Sequence, residues 1–131
     1  MKKYRIWLIL VVLVLLSIAT AYAGVVYRLS CSNRTCNFMQ DVDFGPGFTF
    51  KRIVGYCVHC EEFVGFSYKH YKNPPEPVGY VWDTFRSEKR PLYACPKCGK
   101  PFLKIGGVGS IKTCPKCGEG SIRKPVLWSY D

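Results

Sequence analysis

Two copies of one four-residue word, Cys95-Pro-Lys-Cys98 and Cys114-Pro-Lys-Cys117, stand fifteen residues apart, and each is followed by a glycine, Gly99 and Gly118. A C-x2-C pair on a tight turn can aim two sulfurs at one metal ion, and two such turns facing each other complete a tetrahedron of thiolates. The spacing C-x2-C-x15-C-x2-C lies inside the zinc-site pattern. The turn chemistry agrees. Proline fixes one φ angle within the loop, and glycine after the second cysteine takes a positive φ cheaply.

These residues, Cys95, Pro96, Cys98, Gly99, Cys114, Pro115, Cys117 and Gly118, resemble the zinc ribbon family, which shares its paired knuckles with rubredoxin. The resemblance covers about the last third of the chain. It implies a small antiparallel β fold around a tetrahedral metal. It implies no particular activity, because ribbons serve in many unrelated proteins.

Four more cysteines precede these. Cys31-Ser-Asn-Arg-Thr-Cys36 and Cys57-Val-His-Cys60 form a second, less regular set, with twenty residues between Cys36 and Cys57. That interval holds a turn-forming Asp43-Phe44-Gly45-Pro46-Gly47. The order knuckle, hairpin, knuckle thus occurs twice. The expected fold is small and mainly β: two zinc ribbons in tandem after one N-terminal apolar helix. The first site takes Cys31, Cys36, Cys57 and Cys60, the second Cys95, Cys98, Cys114 and Cys117. An alternative pairing joins Cys57 and Cys60 to Cys95 and Cys98 across a proline-rich linker. The x4 spacing of the first knuckle departs from the ribbon pattern, and no glycine follows Cys36 or Cys60.

The domain reading follows. Residues 1–23 are a signal peptide or membrane anchor, helical to about 27 if retained. Residues 24–72 are the first, irregular ribbon. Residues 73–90 are a linker, because Asn73-Pro-Pro-Glu-Pro77 breaks helix and strand alike. Residues 91–131 are the second ribbon. Strands are expected around Val25–Leu29, Phe48–Tyr56, Phe63–Tyr68 and Phe102–Ile105. Gly106–Gly109 is read as a turn returning through Ser110–Thr113, with Ile122 and Val126–Trp128 in a last strand. Val78–Arg86 fits either a strand or a short helical turn.

The N-terminus carries basic Lys2, Lys3 and Arg5, then an apolar run from Ile6, then Ala21-Tyr22-Ala23. Those are the three parts of a secretory signal, with cleavage expected after Ala23. The uncharged stretch from Ile6 to Tyr27 is also long enough to span a bilayer as a retained helix. Either way the basic flank stays in the cytoplasm and residues 24–131 face outward. An outward N-terminus with cytosolic ribbons is the alternative topology.

Net charge narrows the partners. The formal +10 falls to +7 without Lys2, Lys3 and Arg5. Two four-thiolate sites, each carrying −2 with a divalent ion, reduce it to +3. A mildly basic body gives no argument for nucleic acid by charge alone. Lys97, Lys100, Lys104, Lys112 and Lys116, with Tyr93, Phe102 and Trp128 near them, suit single-stranded nucleic acid. The competing reading is solvated lysines over a small aromatic core. His59 and His70 are not expected as ligands, and no hydrolase, metalloprotease or phosphate-loop motif is present.

The function expected is therefore non-enzymatic: two structural zinc ions holding a surface for another protein, exported or tied to a membrane. Four thiolates leave no open position for a catalytic water. Iron is the alternative metal, giving a rubredoxin-like electron carrier. Thiol–disulfide activity through the C-x2-C pairs is the least unlikely enzymatic reading, and no thioredoxin-like βαβ pattern surrounds them. A nucleic-acid-binding ribbon protein requires cytosolic topology.

Overall fold

The computed structural model describes residues 2–19, 24–47 and 49–130. One helix, α1 (Lys2–Ala19), precedes nine strands: β1 (Gly24–Cys31), β2 (Met39–Phe44), β3 (Phe50–Cys57), β4 (Glu62–Lys69), β5 (Gly79–Asp83), β6 (Glu88–Ala94), β7 (Pro101–Lys104), β8 (Ile122–Arg123) and β9 (Val126–Tyr130). Every pairing is antiparallel. No helix among the described residues is long and apolar enough to cross a membrane. A helix running to about residue 27 is ruled out, because Gly24 already begins a sheet strand. The expected cleavage site, Ala21–Ala23, lies outside the described residues.

The strands form two sheets. In the first, β1 is central, with β2 on one side and both β8 and β9 on the other. The second runs β4-β3-β7-β6-β5. Each sheet draws strands from both sides of residues 73–90: β1 pairs β9, and β3 pairs β7. The expected linker itself contributes β5 and begins β6. The hairpin expected around Gly106–Gly109 is not formed. β7 pairs with β3 and β6, Val108–Ser110 is a short 3-10 turn, and Thr113 bridges to Ser121. Neighbours already present on both sides of β7 leave no edge for a return strand.

β3 explains how two cores arise. Its successive residues Ile53 and Val54 are both buried, and they point to opposite faces of a pleated strand. Val54 joins Leu29, Phe38, Val42, Phe44 and Phe63 between the two sheets. Ile53 joins Val64, Tyr93 and Phe102 on the far face. A strand buried on both sides reads as a continuous apolar run and not as an alternation. The sheets are also joined by a polar clamp. The Gln40 amide donates to the Phe63 carbonyl and accepts from the Phe63 N–H, both at 2.7 Å. This satisfies backbone groups on edge strand β4 that have no strand partner.

Candidate metal centres

All eight cysteines gather into two groups of four, within each of which the sulfurs lie within 4.8 Å of one another. The groups are Cys31, Cys36, Cys114 and Cys117, and Cys57, Cys60, Cys95 and Cys98. This corrects the consecutive grouping expected from sequence order. Cys57 and Cys60 do not join Cys31 and Cys36, and Cys114 and Cys117 do not join Cys95 and Cys98. The alternative pairing across residues 73–90 is the one adopted, so an inner site is nested within an outer one.

The inner site is built by strand pairing. Cys57 and Cys60 sit in the turn from β3 to β4, Cys95 and Cys98 in the turn from β6 to β7. β7 is hydrogen-bonded to β3 at Gly55 and Tyr56, which carries the second turn up beside the first. A Cβ at Gly55 would lie 2.1 Å from the Leu103 carbonyl oxygen, so glycine is required for that approach. Cys57 Sγ lies 3.6 Å from Cys98 Sγ, and Cys60 Sγ lies 3.8 Å from Cys95 Sγ. In the outer site Cys31 closes β1, and Cys114–Cys117 arrives with the segment that leads into β8 against β1. Cys31 Sγ lies 3.6 Å from Cys117 Sγ and Cys36 Sγ 3.8 Å from Cys114 Sγ.

These distances suit a metal. A tetrahedron with ~2.3 Å metal–sulfur bonds has edges of about 3.8 Å. A disulfide holds its sulfurs at about 2.05 Å. All eight thiols are free.

Three of the four turns place a left-handed residue directly after their second cysteine. Gly99 N–H donates to the Cys95 carbonyl and Gly118 N–H to the Cys114 carbonyl, each at 2.8 Å, with φ of +73° and +72°. At the Cys57–Cys60 turn the left-handed position is filled by Glu61, φ +56°. The missing glycine thus did not mean a missing turn. The Cys31–Cys36 loop is different. Asn33 Oδ1 accepts from the N–H and hydroxyl of Thr35, and the Asn33 N–H faces Cys31 Sγ at 3.4 Å. An Asx turn does here what proline and glycine do elsewhere.

The thiols are not equivalent. The N–H groups of Glu119 and Gly120 pull Cys117 down to about 6. Burial works to raise Cys95, but the N–H groups of Cys98 and Lys97 outweigh it and bring the thiol to about 7. Burial pushes Cys31 up to about 12. The Cys98 sulfur and burial together raise Cys60. Each group therefore holds one sulfur already inclined to the thiolate form beside others that a cation must deprotonate.

Gly120 escaped the sequence reading. A Cβ there would sit 2.5 Å from Cys31 Sγ and 3.1 Å from the Asn33 N and Cβ. Nothing in a glycine three residues beyond Cys117 marks that contact. Of the five lysines singled out, Lys97 pairs with Glu62 at 2.7 Å and Lys116 with Glu61 at 3.5 Å. Tyr93 and Phe102 are buried core residues, whereas Trp128 is exposed. His59 is exposed, His70 Nε2 lies 3.2 Å from the Gly47 carbonyl oxygen, and neither belongs to a cysteine group.

Comparison with family models, with curated proteins and with solved structures finds no match to this chain. What the fold and site define is a small two-sheet β protein with two four-cysteine groups compatible with zinc-ribbon-like metal sites.

Proposed function

We propose that this chain is a non-catalytic module whose fold is held by two structural zinc ions, one in each four-cysteine group, and whose work is done by the surface those ions keep rigid. The observation that carries the reading is the gathering of eight thiols into two tetrads at metal-spanning distances. Four thiolates saturate a tetrahedral zinc, which leaves a structural role. Zinc bound by small peptides contributes on the order of 10–16 kcal/mol to their folding. Each proposed ion links chain segments far apart in sequence, so its binding energy counts toward the fold.

The topology is part of the proposal. The basic start and apolar run of α1 suit an N-terminal export signal, with the β body outside the cytoplasm. Its side chains from Tyr4 to Leu15 are exposed, as a segment bound for export machinery or lipid requires. An export signal fits better than a spanning anchor, because β1 begins at Gly24.

Elemental analysis of protein made without added metal tests the metal reading. The expected result is about two zincs per chain. Iron with a red colour makes the chain an electron carrier. No metal and no free thiols would mean four disulfides and end the proposal.

A further inference from the structure

Two open depressions meet along the end of β7 and the loop that follows it. One, of about 350 Å³, is lined by Lys51, Arg52 and Lys104 together with His70 and Gly107. The other, of about 290 Å³, is lined by Arg86, Lys89 and Arg90. They share Lys104, Ile105 and Gly106 and so form one groove. Six lysines and arginines line it, against a single carboxylate, Glu88.

Ion pairing does not cancel this excess. Arg52 pairs with Asp43 at 2.8 Å, Arg90 with Asp83 at 3.3 Å and Arg86 with Glu88 at 3.9 Å. Lys51, Lys89 and Lys104 make no ion pair among the described residues. The pairing instead fixes the arginines. Arg90 also donates to the Lys104 carbonyl at 2.6 Å, which ties β6 to the shared wall. A concave strip with three unpaired ammonium groups focuses a positive field and favours a ligand with several negative charges in series. Lysine acts on phosphate as a mobile point charge, which suits a flexible chain of phosphates.

We propose that this groove binds a linear chain of phosphate groups through Lys51, Lys89 and Lys104. The inference names the ligand class of the surface described above. It rests on that reading, because β3 and β7, which flank the groove, run directly from the two turns of the inner cysteine site. Two sources supply such a chain: a base-free polyphosphate, compatible with either topology, or a nucleic-acid strand, which calls for the cytosolic one. A third depression, lined by Phe50, Tyr68 and Tyr71, adjoins the groove through Arg52 and Tyr68. It would add base stacking only for the nucleic acid.

The test is anisotropy of a labelled oligodeoxythymidylate on the full chain, with inorganic polyphosphate as a competitor and metal content measured on the same sample. Both should bind. Lys51→Glu with Lys104→Glu should weaken both about tenfold or more, and should make the oligonucleotide's salt slope shallower by about 1.4. Lys112→Glu with Arg123→Glu changes charge equally, away from the groove, and should cost far less. Lys51→Gln with Lys104→Gln should give the same direction if the reversed charges impair folding. A Tyr71→Ala loss confined to the oligonucleotide assigns the source to nucleic acid; equal, unaffected binding assigns it to the base-free chain. No binding by either probe with two metals per chain overturns the groove and leaves the metal reading standing. Equal loss in both charge-reversed pairs also overturns it. Binding by a metal-free chain leaves the groove and removes the metal reading.

Discussion

Gly120 shows how much one hydrogen atom in place of a methyl can decide. A Cβ at this position would run into Cys31 Sγ, and a sulfur that held a metal could not retreat without leaving it. Gly120→Ala is expected to weaken the outer site at least tenfold and spare the inner one. Competition with a chromophoric chelator would show one site released early and one late; two unchanged sites would refute the close approach. Glu61 carries the opposite lesson. It occupies a left-handed conformation that costs a non-glycine residue about 1 kcal/mol. Its exposed pairing with Lys116 offsets little of that. Glu61→Gly is expected to raise stability by roughly 0.5 kcal/mol, once glycine's extra unfolded-state entropy is allowed for.

The thiol titrations set a pH dependence with a definite sign. Cys117 and Cys95 are lowered to about 6 and about 7, so their thiolate form is favoured above those values and lost as pH falls through them. Protons then compete with metal for every ligand. Metal affinity is expected to fall as pH drops, most steeply below about 6 to 7, where even these two thiols protonate. Chelator competition across pH 5 to 8 would measure it, and a flat profile would speak against thiolate ligation.

At the scale of the element, the Gln40 clamp is the most exposed weak point. One side chain satisfies both backbone groups of Phe63 and joins β2 to β4. Gln40→Ala is expected to cost about 1–3 kcal/mol, because it strips partners from part-buried backbone groups. A denaturant midpoint unchanged by the substitution would show that water replaces the clamp freely. Most strands were legible in the sequence: the apolar runs at Val25–Leu29, Phe63–Tyr68 and Phe102–Ile105 all lie on or within a residue of β1, β4 and β7. Partners were not legible. Gly106–Gly109 reads as a hairpin tip because turn residues are a local signal, but β7 found both its neighbours elsewhere. Local turn chemistry says where a chain bends and not which strand it meets.

Across the whole molecule the same limit explains the cysteines. Their identities and turn chemistry are local, so all eight were readable as candidate metal ligands, the C-x4-C pair less plainly than the three C-x2-C pairs. Their partition into tetrads is set by β3 meeting β7 and β1 meeting β8, contacts between residues far apart in sequence. Sequence order therefore suggested two consecutive ribbons where the chain nests one site inside the other. One hint was available: the inner site joins two turns of equal C-x2-C length, while the irregular C-x4-C loop falls to the outer site. The proposed export of the body is a whole-chain property as well. A reporter active only after export, fused after Asp131, is expected to be active; activity of a cytosolic reporter alone at that point would reverse the topology.

The nesting of the two tetrads is tested most directly on cadmium-substituted protein, by through-bond NMR couplings from each cadmium to cysteine β-protons. Two cadmium signals are expected. One should couple to Cys31, Cys36, Cys114 and Cys117, the other to Cys57, Cys60, Cys95 and Cys98. Couplings that group Cys31 and Cys36 with Cys57 and Cys60, or Cys95 and Cys98 with Cys114 and Cys117, would contradict the account.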